Sequence, residues 1–236
     1  MDVSQVLLNG EKFLQDRRPV ILGLSPGNSH YCKREVLERL FDFIARKNSD
    51  KALLFIPDKI SEHNYRAIGS KKPEKSARTK GNALRNKCNK AIQSSGLCQA
   101  SYSFIRWTED VETCHEYNKA LADIKDLYEA NDEFRDDIRE STEAALRGLK
   151  GRGKGGNKKN ELAEESAVDL KEGVQYVLKE LAFFVAVPSI YENCEEFVFV
   201  YHRSWPLLER FVAGCYDGIE KPSLGVFVFN NTIKSD

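Results

Sequence analysis

The sequence predicts an α/β fold, a central and mostly parallel sheet flanked by helices, formed as one domain over residues 1–236. Three observations carry that expectation. The apolar run Pro19-Val20-Ile21-Leu22-Gly23-Leu24 has strand length and empties into Ser25-Pro26-Gly27-Asn28-Ser29. Val36, Leu37, Leu40, Phe41 and Ile44 then recur at helical spacing within about 31–47. Ala52-Leu53-Leu54-Phe55-Ile56 is a second buried-strand run, stopped by Pro57, and strand–helix–strand in that order makes a right-handed parallel crossover. Far downstream, Glu196–His202 and Ser223–Phe229 read as two further strands.

Composition bounds the class. The chain has 236 residues, 36 basic against 36 acidic, with 41% hydrophobic and 31% charged, which describes a soluble globular protein long enough to bury a core. No charge-flanked apolar segment opens it and no run reaches membrane-spanning length, so a cytoplasmic protein without a membrane partner is expected. The six cysteines are scattered without a C-x-x-C pair, and the four histidines form no H-E-x-x-H. Reduced thiols and no metal are expected from that spacing.

Between the strands, residues 58–73 are polar with Gly69 and Pro73 and read as a loop. Within 74–95, Ala77, Gly81, Leu84, Cys88 and Ala91 form a narrow helical stripe. Lys75, Arg78, Lys80, Arg85, Lys87 and Lys90 accompany it, and Glu74 is the one acid between Lys71 and Lys90. Such a face is either solvated or suited to a polyanion. A third strand is read at 99–106, then an acidic helix at 109–130 and another at 132–147 with Asn131-Asp132 as its cap. Gly148–Lys159 is a cationic, glycine-rich loop that lacks the G-K-[ST] ending of a P-loop. A helix over about 161–184 carries Tyr176 and Glu180 four apart on one face, and Pro206 opens a helix ending near Gly214. The Glu180 carboxylate, among Val177, Leu178, Leu181 and Phe183, is either a snorkelling surface acid or a buried one with an assigned cation.

In an open parallel sheet, ligands bind beyond the carboxyl ends of the strands. Ser25 is the hydroxyl presented there by the first crossover, and amides at the start of the following helix are placed to steady an anion. Tyr201 and His202 end a later strand on the same rim.

Together, Gly23-x-Ser25-x-x-Asn28, Tyr176-x-x-x-Glu180 and Tyr201-His202, with the basic helix between them, resemble the cyclodipeptide synthases over roughly residues 15–230. The resemblance implies a Rossmann-like fold similar to the catalytic domains of tyrosyl- and tryptophanyl-tRNA synthetases. It implies an activity that joins two aminoacyl-tRNAs into a cyclic dipeptide without ATP, metal or other cofactor, in an enzyme expected to be a monomer. It makes Ser25 the acyl-accepting nucleophile, Tyr176 and Glu180 the holders of the α-ammonium, and Tyr201 the proton relay with His202 beside it. Gly23, Asn28 and Tyr117 would border the substrate, and Ile21, Leu53, Phe183 and Phe199 would line an apolar first pocket. Arg203 and Ser204 would face the second, Ser204 standing where relatives often carry an acid. Lys75, Arg78, Lys80, Arg85, Lys87 and Lys90 would meet tRNA.

Two other classes remain open on sequence. Gly23-Leu24-Ser25-Pro26-Gly27 also matches G-x-S-x-G, the nucleophile elbow of α/β-hydrolases, with His202 as base. A non-catalytic RNA-binding module would use the basic helix and loop and leave Ser25 idle.

Overall fold

A computed structural model describes residues 5–8, 10–46, 51–95, 102–150, 168–191 and 195–229. Elements follow in the order β1 (Gln5–Leu7), α1 (Gly10–Gln15), β2 (Val20–Gly23), α2 (Arg34–Arg46), β3 (Ala52–Phe55), α3 (Ser61–Ala67), α4 (Pro73–Gln93), β4 (Tyr102–Phe104), α5 (His115–Ala130), α6 (Asp132–Lys150), α7 (Leu170–Ile190), β5 (Phe197–Tyr201), α8 (Pro206–Ala213) and β6 (Leu224–Val228). The sheet order is β1-β6-β5-β2-β3-β4, parallel except for β1, which pairs antiparallel with β6. The expected parallel α/β architecture is therefore present.

Strand periodicity sorts the core into two layers. Ile21, Leu53, Phe55, Phe197 and Phe199 face α5, α6, α7 and α8, whereas Val20, Leu22, Leu54, Val198 and Val200 face α2 and α4. Successive crossovers carry the chain from β2 outward to β3 and β4, after which it returns to β5 on the other side of β2. The ends of β2 and β5 thus flank the switch point of the sheet, where a crevice opens.

Several boundaries differ from the sequence expectation. Residues 61–67 are helical, not loop: α3 packs on α4 and α7 and buries Ser61, Asn64 and Ala67, a face too polar to register as amphipathic. A 3-10 turn (Ser29–Cys32) precedes α2, and a π-helical turn (Trp107–Val111) precedes α5. Asn131 caps α6 as expected, its side chain accepting from Phe134 N at 2.9 Å. Of the expected loop Gly148–Lys159, residues 148–150 are instead the end of α6, and 151–159, with the start of the expected helix at 161, lie outside the described residues. α7 begins at Leu170, with the Asp169 side chain accepting from Glu172 N. At 21 residues and a mean hydropathy of 1.3, α7 is long and apolar enough to cross a bilayer, against the expectation from sequence. Here it is the central core helix, packed by α3, α5 and α6.

Candidate active site

Ser25 leaves β2 two residues after Gly23, and the register Leu22↔Val200 brings Gly23 alongside Tyr201. The approach is close: a Cβ on Gly23 would lie 2.6 Å from the Phe199 ring and 3.0 Å from Tyr201, so the position requires glycine. Gly27 at φ +79° then turns the chain back, a conformation that other residues rarely adopt. The outcome is a hydrogen bond of 2.8 Å between Ser25 Oγ and the Tyr201 hydroxyl.

A second chain of hydrogen bonds braces this turn. Asn28 Nδ2 donates to His202 Nε2 at 2.9 Å, and Asn28 Oδ1 accepts from His30 N at 3.0 Å, which fixes the amide orientation. Tyr31 donates its hydroxyl proton to Gly23 O at 2.7 Å, leaving its oxygen to accept from His202 Nδ1 at 3.2 Å. His202 is thereby set as the neutral Nδ1–H tautomer with both nitrogens engaged. It positions the loop and does not touch Ser25 Oγ. The His30 amide is likewise taken by Asn28, so that helix-start donor is not left for an anion.

On the helix side, Glu180 of α7 is buried at 8% exposure and hydrogen-bonds Tyr176 one turn earlier. Desolvation pushes its carboxyl up to about 8, with Tyr176 and the Arg203 charge pulling the other way. Of the two arrangements open on sequence, the buried one holds, with Arg203 as the nearby cation. Tyr201 and Tyr176 are both raised, chiefly by desolvation, so each stays a protonated phenol at neutral pH.

These groups line one cavity of about 140 Å³. Ser25, Asn28, Tyr176, Glu180, Phe199, Tyr201, His202 and Arg203 are on its wall. Gly23 lies directly behind, against Phe199 and Tyr201. Other expected site residues lie elsewhere. Ile21, Leu53 and Phe183 are fully buried in the core beneath, Phe183 stacking on Phe55 with centroids 4.5 Å apart. Tyr117 packs edge-on to Trp107 in the core. Ser204 donates to Glu209 Oε1 at 2.5 Å at the start of α8 and is not on the wall. Missed in sequence were Ser61, Asn64 and Tyr65 of α3, and Ser141, Ala144 and Ala145 of α6, which are also on the cavity wall.

The basic face of α4 touches the segment that follows β2: the Lys80 stem comes within 3.9 Å of a Cβ built on Gly27, and Lys87 Nζ donates to Cys32 O at 3.2 Å. Lys75, Arg78, Lys80, Lys87 and Lys90 are exposed. Arg85 is half-buried, paired with Asp58 at 3.4 Å and lying over the Phe104 ring.

Comparison with known proteins identifies the fold and the family. A curated Bacillus subtilis (strain 168) relative, cyclo(L-leucyl-L-leucyl) synthase, is 22% identical over 93% of this chain and 85% of its own length. A Mycobacterium tuberculosis structure, described as relating these enzymes to type I tRNA synthetases, superposes with TM-score 0.69 at 18% identity, covering 95% of this chain and 90% of that one. A cyclodipeptide synthase from Candidatus Glomeribacter gigasporarum bound to Phe-tRNAPhe does so with TM-score 0.64 at 17% identity, over 92% of each chain. The cyclodipeptide synthase family model matches residues 3–220, and the chain belongs to that family.

Proposed function

We propose that this enzyme builds its cyclic dipeptide through acyl esters on Ser25, taking both amino acids from aminoacyl-tRNA. The single observation that carries the proposal is Ser25 Oγ bonded to Tyr201 in the same cavity as a buried, high-pKa Glu180.

In the first step Ser25 Oγ attacks the aminoacyl carbonyl. The Oγ–C bond forms, the bond to the terminal ribose oxygen breaks, and the serine proton passes to that oxygen through Tyr201. Ester is exchanged for ester, so no further activation is needed. The α-ammonium of the bound group docks on Glu180 and Tyr176. An α-amine titrates at about 8, and Glu180 at about 8 is matched to it. Burial thus makes this carboxyl a stronger base than an ordinary one, able to take the ammonium's proton when ring closure requires a free amine.

The amine of a second aminoacyl-tRNA attacks the Ser25 ester, forming the peptide bond and freeing Ser25 Oγ, which takes up the amine's proton. Ser25 Oγ then attacks the ester of the resulting dipeptidyl-tRNA, and the second tRNA leaves as its ribose oxygen takes the serine proton. The dipeptidyl group's own amine then attacks the ester carbonyl, the ring closes, and Ser25 recovers its proton by way of Tyr201. A phenol held protonated by desolvation is a donor and relay, not a base. Proximity of amine and ester supplies much of the acceleration. The hydrolase alternative loses its base, because His202 is turned to Asn28 and Tyr31. The aminoacyl-tRNA pool is cytoplasmic, and we place the enzyme there as a monomer.

Incubation with tRNA carrying a radiolabelled amino acid, followed by acid precipitation and peptide mapping, tests the assignment. The label should appear on the peptide containing Ser25. Ser25→Ala should abolish both label and cyclic product while retaining tRNA binding. Product formed by Ser25→Ala would remove that hydroxyl from the reaction.

A further inference from the structure

The acyl-enzyme proposed above accounts for Ser25, Glu180, Tyr176 and Tyr201, and leaves one wall of the cavity unused. α7 packs between α3 and α6, so the space over its Tyr176–Glu180 turn is bounded by those two helices. Toward the sheet, Phe199 closes the space against Gly23, and the rings below it are fully buried. A second aminoacyl group therefore meets the α3–α6 side.

Several polar side chains on the wall have assigned partners. Asn28 is engaged at both ends of its amide, Ser61 donates to Pro57 O, and Ser141 accepts from Trp205 Nε1. Asn64 is 7% exposed, lies on the cavity wall, and its carboxamide makes no hydrogen bond among the described residues. Its amide atoms are not among the fully enclosed unpaired polar atoms of the described residues, so the group is open to the cavity, where a ligand group can bond it. The charges point the same way. Glu180 and Arg203 are the acid and the cation on the wall, and Arg203 has no carboxylate within ion-pair distance among the described residues. Once an ammonium occupies Glu180, the guanidinium is left without a counter-charge.

We propose that the α3–α6 side of the cavity, through Asn64 and Arg203, selects a second aminoacyl group whose side chain bears a carboxylate or carboxamide oxygen. The inference rests on the acyl-enzyme reading and goes beyond it. An aliphatic side chain in that space would seal Asn64 away from any partner. Sites built to hydrogen-bond reject analogues lacking the group by far more than apolar pockets discriminate size.

The purified protein, given a mixture of the twenty charged tRNAs, should yield cyclic dipeptides in which one residue is Asp, Glu, Asn or Gln, as read by mass spectrometry. Asn64→Leu should lower the ratio of such products to aliphatic ones by roughly 10- to 100-fold. Arg203→Gln, at an exposed position where folding is not at risk, should lower carboxylate-containing products relative to carboxamide-containing ones. Wild-type products made only from aliphatic or aromatic residues would overturn the inference while leaving Ser25 in place. A uniform fall of all products in Asn64→Leu would also overturn it, by assigning that amide to the tRNA end common to every substrate. Failure of every charged tRNA to label Ser25 would instead overturn the acyl-enzyme, and this inference with it.

Discussion

Glu180 shows what a buried carboxyl costs the fold that carries it. A carboxyl ordinarily titrating near 4.5 is held at about 8 by burial in α7. Between those values the folded chain keeps a proton that the unfolded chain has released, so stability falls as pH rises through that window. The full deficit, reached above about pH 8, is on the order of 3–5 kcal/mol. Glu180→Gln removes the titration and keeps the shape. It should therefore melt on the order of 10 °C above the wild type at pH 9, with the gap closing toward pH 4, while cyclic-dipeptide formation collapses for want of an anion to hold the ammonium. A melting difference that stayed constant from pH 4 to pH 9 would show that burial does not perturb this carboxyl. The sequence shows Glu180 on an apolar helix but leaves its burial open, because neighbours four residues away do not say which side of α7 the sheet covers. The same limit applies to His202. Its place after a strand is legible, but the Asn28 and Tyr31 bonds that fix its tautomer span more than 170 residues.

Elements whose register follows apolar periodicity were legible, and those held by other means were not. The stripe Ala77, Gly81, Leu84, Cys88 and Ala91 is the buried face of α4, and the same spacing exposes its lysines. α3 was not legible: Ser61-Glu62-His63-Asn64-Tyr65-Arg66-Ala67 has no apolar repeat, and its helix is held by α7 and α4. A Glu172–His63 contact at 3.0 Å and a Lys179–His63 contact at 3.0 Å help hold α3 to α7. That omission hid one whole wall of the cavity. The α4 face has its own test. Arg78→Glu with Lys87→Glu changes two exposed cations, and each lost phosphate contact should flatten the slope of log affinity against log salt by about 0.7–0.9. Filter binding of charged tRNA from 50 to 300 mM salt reads the slope, and an unchanged value would move the RNA to another face. Arg85→Gln should flatten the slope less, since that guanidinium is already paired with Asp58.

At the scale of the molecule, chain topology puts the chemistry in one place. β2 and β5 are neighbours in the sheet yet 176 residues separate Ser25 from Tyr201, and only the return of the chain to the inner edge of β2 brings the two hydroxyls together. The crossover rule made the shared rim legible from β2, β3 and the late strands, whereas the identity of the neighbouring strand was not, because strand order is set by long-range packing. The crevice so formed must supply orientation and proton transfer. It has no need to supply acyl activation, since the substrate ester already carries it. Product formation from purified, pre-charged tRNA should therefore proceed at an undiminished rate in buffer stripped of ATP by apyrase, and should vanish when the same tRNA is deacylated by mild base beforehand. A rate that rose several-fold on adding ATP to fully charged tRNA would demand an activation step, and hence a nucleotide site, that the ester exchange proposed at Ser25 leaves no reason to have.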